Sequence, residues 1–187
     1  MKRILSIGAT SILALMPAST VFAATGTTVT DTVAVTINAA CSITATNLTP
    51  TYSATMTNGS LKSNFGSTSM SVSCNDAAGW KIMAIGSGPD SSNKTVMNAT
   101  GSGTDIATGT ATSGATSNWA FKLGGTGVTS GYTSFKAVPS ASTKVASGSG
   151  SVSGNAITTT YQVWISATQQ ADTYTGAVTY TLAHPNT

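Results

Sequence analysis

Apolar residues along most of the chain recur at every second position, between positions occupied by Thr, Ser and Asn. Side chains of a β-strand point alternately to the two faces of a sheet, so this period predicts half-buried strands. The two clearest segments lie near the C-terminus on either side of the polar residues 168–172, and we expect them to form an antiparallel hairpin. Their apolar faces carry Ile157, Thr159, Tyr161, Val163 and Ile165 in the first segment and Tyr174, Gly176, Val178, Tyr180 and Leu182 in the second.

The same alternation predicts several earlier strands, and no segment after residue 23 has a helical period. The apolar positions of these earlier strands are Val29, Val33, Val35 and Ile37, then Cys41 and Ile43, then Met70, Val72 and Cys74 before a polar turn at 75–79. A strand follows from Trp80, and residues 119–123 and 132–137 form further short strands. We expect long loops around weak strands at 86–117 and a flexible Ser/Gly loop at 147–155. This succession predicts an all-β fold, an antiparallel immunoglobulin-like β-sandwich.

The first 23 residues have the pattern of a secretory signal peptide. Lys2 and Arg3 precede the apolar residues 4–16, and the sequence Val-Phe-Ala at 21–23 resembles a cleavage site. The apolar stretch is too short to span a bilayer. We therefore expect cleavage after Ala23, one mature domain at 24–187 without a membrane span, and a secreted, extracellular or cell-surface location in a bacterium.

The composition argues against an enzyme and against a nucleic-acid-binding protein. Only 7% of the residues are charged, and beyond residue 23 the chain has six Lys, five Asp, no Arg and no Glu. General acid–base catalysis needs paired carboxylates or a positioned histidine, and the one histidine, His184, is expected to be an exposed, inert residue of the C-terminal tail. We expect no catalytic residue, no metal and no cofactor. Trp80, Trp119 and Trp164 need burial or a partner, which favours an ordered domain over a disordered chain.

Cys41 and Cys74 are the two cysteines of the chain, 33 residues apart on two predicted strands. In an exported protein such a pair is expected to form a structural disulfide. Their spacing is not that of a C-x-x-C motif, and one histidine does not complete a zinc site.

Two segments resemble the motifs of the WxL domain, a cell-surface module of Gram-positive bacteria. Gly79-Trp80-Lys81-Ile82 resembles the first motif, and residues 171–182 with Pro185 resemble the second. Ile82 stands where that family has Leu, and Tyr180 where it has Trp. The resemblance implies non-covalent attachment to peptidoglycan or another surface glycan. The candidate attachment residues are Trp80, Ile82, Tyr174, Tyr180 and Leu182. Trp80 and Tyr180 are equally expected to be core aromatic residues of the sandwich, because they share the inward parity of Ile82 and Leu182.

The chain also resembles secreted pilin subunits of the chaperone and usher pathway, including the spore coat U type. Those proteins likewise have an alternating apolar segment after the signal, a disulfide between an early and a later strand, and a Tyr-containing last strand. The resemblance implies that residues 28–37 act as a donor strand that completes the sheet of a like subunit. In a complete sandwich the same residues form the first strand of their own domain, which is the interpretation that we favour from the sequence.

Trp164 has the opposite parity from Tyr161, Val163 and Ile165, so it is expected on the other face of its strand. An exposed aromatic residue on a flat sheet is a candidate contact for a glycan or a protein, and cover by one of the long loops is the alternative. Low charge favours association between like molecules. The sequence therefore predicts a secreted, non-enzymatic structural or binding module of the cell surface or cell wall, with a pilus or fimbria-like subunit that assembles by strand exchange as the alternative.

Overall fold

The computed structural model describes residues 34–46, 61–110 and 116–185. It divides the chain into two compact units, Met1–Thr36 and Ile37–Thr187. Of the first unit, the residues described are 34–36, which lie outside any strand. The predicted signal peptide at 1–23 lies outside the described residues, as does the part of the predicted first strand that precedes residue 34.

The second unit is built from ten β-strands in its described residues, as the alternating pattern predicts. They are β1 Cys41–Thr46, β2 Leu61–Cys74, β3 Trp80–Gly86, β4 Asn98–Ala99, β5 Ala107–Thr108, β6 Asn118–Gly125, β7 Thr143–Gly148, β8 Val152–Ile165, β9 Tyr174–Thr175 and β10 Val178–Ala183. A single 3₁₀ turn, Ser130–Tyr132, stands between β6 and β7. The described part of the chain has no helix long and apolar enough to cross a membrane.

These strands form three sheets. A five-stranded sheet has the order β1-β2-β8-β6-β5, a three-stranded sheet has the order β10-β3-β7, and β4 pairs with β9. All neighbours are antiparallel except β5 and β6, which are parallel. The first two sheets share one hydrophobic core, which contains Val72, Phe121 and Ile157 from the five-stranded sheet and Ile82 and Val145 from the three-stranded sheet. The all-β prediction is confirmed, and the arrangement fits a β-sandwich.

The predicted C-terminal hairpin is wrong. Both segments are strands with the expected apolar faces, but β8 pairs with β2 and β6, whereas β10 pairs with β3 in the other sheet. The chain between β8 and β10 therefore crosses from one sheet to the other. Periodicity predicts which face of a strand is apolar but not which strand lies beside it.

Three local predictions are also corrected. Residues 147–155 are not a flexible loop, because β7 and β8 extend into them and leave a tight turn around Gly150, whose φ is 73°. Residues 132–137 form the end of the 3₁₀ turn and an isolated bridge from Lys136 to Phe121 instead of a strand. Residues 34–37 of the predicted first strand lie outside any strand and are exposed.

Candidate functional site

A cleft of about 440 Å³ opens between β1 and β10. Each of these strands is the last strand of its sheet, so in the described residues each pairs on one side alone. The cleft is lined by Ala39, Cys41 and Ile43 on one wall and by Tyr180, Thr181, Leu182, Ala183 and His184 on the other. Two open strand edges that border one apolar cleft are able to accept a further strand.

The first wall is held in place by a disulfide. Cys41 of β1 is bonded to Cys74 of β2, and the two residues are direct partners in the antiparallel ladder. This confirms the predicted pairing. Ile43 follows two positions later opposite the fully buried Val72, so the odd-numbered side chains of β1 face the core. The bridge therefore ties an edge strand with an apolar inner face to the centre of its sheet.

The second wall is formed by β10, whose side chains point alternately to the core and to solvent. Val178, Tyr180 and Leu182 pack on the hydrophobic core, and Thr179 and Thr181 between them are exposed. The hydroxyl oxygens of Tyr180 and Tyr161 lie 3.5 Å apart, which joins the two main sheets across the core. Burial raises the pKa of the Tyr180 hydroxyl, and the nearby Tyr161 adds to that shift. Tyr180 therefore presents a neutral, largely apolar surface to the cleft.

One end of the cleft carries a pair of ionisable groups. The Nε2 atom of His184 contacts the carboxylate Oδ2 of Asp76, a residue of the turn between β2 and β3. The other carboxylate oxygen of Asp76 accepts a hydrogen bond from the backbone N–H of Ala78 at 2.8 Å. Lys81 of β3 donates from Nζ to the carbonyl of Pro185 at 3.3 Å. His184 is half-buried instead of fully exposed, because β10 brings it back onto the body of the domain.

Residues 38–40, which lead into β1, are held by hydrogen bonds to Asn75. Its side chain accepts a hydrogen bond from the N–H of Ala40 at 2.6 Å and donates to the carbonyl of Asn38 at 3.2 Å. Its own backbone N–H donates to the carbonyl of Ala40 at 3.1 Å. These bonds hold residues 38–40 beside the turn that follows β2, as a continuation of the pairing of β1. Nothing in the sequence pattern had indicated this role of Asn75.

Two large apolar side chains that precede residues 38–40 are exposed to solvent. Val35 is 80% exposed and Ile37 is 81% exposed, and within the described residues no other large apolar side chain is exposed. They share the parity of the predicted donor strand at 28–37, of which residues 28–33 lie outside the described part of the chain.

The candidate attachment residues are divided between the core and the cleft. Trp80 is 3% exposed and Ile82 is fully buried, so both pack the interior. Tyr180 and Leu182 line the cleft. Tyr174 lies on β9, where its hydroxyl donates to the carbonyl of Gln170 at 2.7 Å. The structure thus brings two of these five residues together in the cleft.

Trp164 has the predicted parity, but it is half-buried instead of exposed. It lies on β8, where its backbone neighbours are Lys62 of β2 and Asn118 of β6. It is therefore on the outer face of the five-stranded sheet, away from the cleft.

A second polar cluster lies between the long loops, and the sequence had not indicated it. The carboxylate of Asp172 accepts hydrogen bonds from the backbone N–H groups of Gly101 and Gly103, at 3.0 and 2.9 Å, and from the hydroxyl of Thr100 at 3.1 Å. The hydrogen bond from Gly103 is the main cause that lowers the pKa of Asp172. This carboxylate connects the segment after β8 to the loop between β4 and β5, so its role is structural.

The described residues contain no group of His, Cys, Asp or Glu that would hold a metal ion. No protein-family model matches the chain, and neither a curated protein nor a solved structure matches it.

Proposed function

We propose that the mature chain is a secreted structural subunit that assembles with copies of itself by strand exchange. The domain is an immunoglobulin-like sandwich whose described strands leave the edges of β1 and β10 open, and residues 28–37 of one copy fill the cleft between β1 and β10 of the next. The observation that carries the proposal is the combination of the open cleft with the exposed Val35 and Ile37.

The dimensions of the two partners are compatible. β10 offers six residues, with apolar side chains at alternate positions. Residues 28–37 are ten residues long and also alternate, with three consecutive apolar positions at Val33, Val35 and Ile37. A strand added to an open edge gains backbone hydrogen bonds, and its alternate side chains enter the cleft.

The hydrogen bonds of Asn75 to residues 38–40 favour a neighbouring copy over the same chain as the recipient of the donor segment. To enter its own cleft, the segment would have to reverse direction at residues 38–40. Those residues are held beside the turn after β2 by both the side chain and the backbone of Asn75. An exchange between copies needs no such reversal and extends into a chain of subunits, since every copy has one donor segment and one cleft.

Peptidoglycan attachment through the WxL-like motifs stays a prediction. Trp80 and Ile82 are buried, so they contribute to packing and not to an accessible surface. This burial is the reason that we favour assembly over wall binding as the function of the domain.

The test is the oligomeric state of the oxidised mature chain, residues 24–187, after refolding from urea at high protein concentration. We expect a series of oligomers by size-exclusion chromatography with light scattering, and linear particles by electron microscopy. The variant Val35→Asp places a charge on the apolar face of the donor segment and should remain monomeric with an unchanged circular dichroism spectrum. Thr36→Asp, one position along on the opposite face, is the matched control and should still assemble.

Wild-type protein that stays monomeric would overturn the proposal, as would oligomers that Val35→Asp leaves intact. Sedimentation of this monomer with insoluble peptidoglycan sacculi would then support the wall-attachment prediction instead.

A further inference from the structure

We propose that Asp31 of the incoming segment pairs with His184 of the recipient and thereby sets the register of the exchanged strand. This inference rests on the proposed strand exchange and specifies how the two copies recognise each other. It joins an acidic residue of the donor sequence to the pair formed by His184 and Asp76 at the end of the cleft.

The direction of the walls follows from the turn after β2. Asn75 is bonded to Ala40 just before β1, and the next residue, Asp76, contacts His184 just after β10. The start of β1 and the end of β10 therefore lie at the same end of the cleft, and the two strands run in opposite directions. A strand between them is antiparallel to one wall and parallel to the other.

The spacing of apolar residues selects one antiparallel register against β10. Val178, Tyr180 and Leu182 face inward at intervals of two, and so do Val33, Val35 and Ile37 in the donor. Antiparallel pairing matches all three at once when Ile37 lies opposite Val178, Val35 opposite Tyr180 and Val33 opposite Leu182. The next inward pair in this register is Asp31 opposite His184.

The position of Asp31 favours this register over the registers shifted by two residues, because Asp31 shares the parity of the apolar face. A shift of two residues in one direction places its carboxylate opposite Leu182, inside the apolar part of the cleft, where an unpaired charge is costly. A shift in the other direction leaves Val178 uncovered and sets Val33 against His184. Parallel pairing with all three apolar matches would place Asp31 opposite Gly176, away from the histidine.

The recipient end is accessible to a carboxylate of the incoming segment. The side chain of His184 is 40% exposed, whereas that of Asp76 is 11% exposed, so the histidine is the accessible member of the pair. Asp76 positions the imidazole from the turn between β2 and β3, and the ammonium group of Lys81 on β3 adds positive charge beside Pro185.

Cysteine cross-linking in the full mature chain tests the register. Thr32 and Ala183 are direct partners in the proposed pairing and lie on the outward face of their strands, so the double variant Thr32→Cys with Ala183→Cys should form intermolecular disulfides in the oligomers. The matched controls are Thr30→Cys with Ala183→Cys and Ala34→Cys with Ala183→Cys, each displaced by two residues. Peptide mapping by mass spectrometry identifies the bonded pair and checks that Cys41 and Cys74 remain bridged.

A charge exchange tests the pair itself. Asp31→Lys and His184→Asp should each weaken association at least about tenfold, and the double variant, which places opposite charges at the two positions, should recover most of it. Circular dichroism and thermal melting of each variant check that the domain is folded.

The outcomes separate the two proposals. Oligomers that cross-link through the Thr30 or Ala34 variants overturn the register and leave strand exchange standing. Cross-linking at Thr32 without recovery in the charge exchange overturns the role of Asp31 and His184. Absence of oligomers and of every cross-link overturns strand exchange, and the register with it.

Discussion

Gly148 of β7 lies directly against the indole of Trp80 on β3, so that a Cβ atom at this glycine would come within 2.7 Å of the indole Nε1 atom. The two residues are direct partners in the ladder between β3 and β7. Gly148→Ala therefore forces the buried Trp80 or the backbone of β7 to move. We expect a loss of about 1–3 kcal/mol in the free energy of unfolding, measured by urea titration.

Gly124→Ala is the matched control in β6. A Cβ atom at Gly124 has no heavy atom within 4 Å, so alanine should be neutral there or slightly stabilising through the unfolded state. Equal destabilisation by the two variants would show that contact with Trp80 does not explain the effect.

The disulfide between Cys41 and Cys74 should contribute a large share of the stability of the domain. It closes a loop with a sequence separation of 33 residues, which corresponds to about 3–4 kcal/mol in the chain-entropy model. Reduction should lower the urea midpoint of the wild type. The double variant Cys41→Ala with Cys74→Ala should have a low midpoint that dithiothreitol does not change.

The same bridge should also hold the wall of the cleft. In the described residues β1 pairs with β2 alone, so loss of the bridge should speed hydrogen exchange in β1 more than in the central strand β8. Uniformly faster exchange in both strands would mean that the bridge stabilises the domain only globally.

The sequence predicts which face of each strand is apolar better than it predicts which strands pair with each other. The odd-numbered residues 157–165 of β8 and the even-numbered residues of β10 face the core, as their alternation indicates. Their placement in different sheets depends on contacts between distant residues. Gln169, for example, donates to the carbonyl of Thr104 at 2.6 Å, across 65 residues of sequence. Local periodicity carries no information about such contacts.

Composition misled the prediction of residues 147–155. Their Ser and Gly content is typical of a loop, yet the adjoining strands are ordered by their partners. β7 pairs with the strongly apolar β3, and β8 pairs with β2 over nearly its whole length. A polar segment can thus form a strand when its neighbours supply the core.

The candidate site was predictable in part. The disulfide and the inward positions Tyr180 and Leu182 follow from spacing and alternation. The cleft itself does not, because it arises where the edge strands of two different sheets come to lie side by side. The contact of His184 with Asp76 depends on the same pairing of sheets, since the two residues are far apart in sequence.

Asp172 should make the stability of the domain sensitive to acid. Its pKa is lower in the folded protein than its ordinary value, so its contribution is fully present above the unfolded pKa of about 3.9 and is lost as the pH falls through the folded value. Asp172→Asn should therefore lower the melting temperature at pH 5–8 by a constant amount. The difference from the wild type should shrink below about pH 4. A difference independent of pH would show that the carboxylate charge is not what the loop requires.

Tyr161 and Tyr180 should make the domain sensitive to alkali. Burial raises the pKa of both hydroxyls, so the unfolded chain loses these protons at a lower pH than the folded protein does. Stability is then unaffected below the unfolded pKa of about 10 and falls as the pH rises above it. The double variant Tyr161→Phe with Tyr180→Phe should lose about 0.5–1.5 kcal/mol at neutral pH through the missing hydroxyl contact, but should show a shallower decline above pH 10. Tyr132→Phe, which removes a hydroxyl outside this pair, is the matched control in urea titrations across the same pH range. An unchanged slope in the double variant would show that this pair does not cause the alkaline loss.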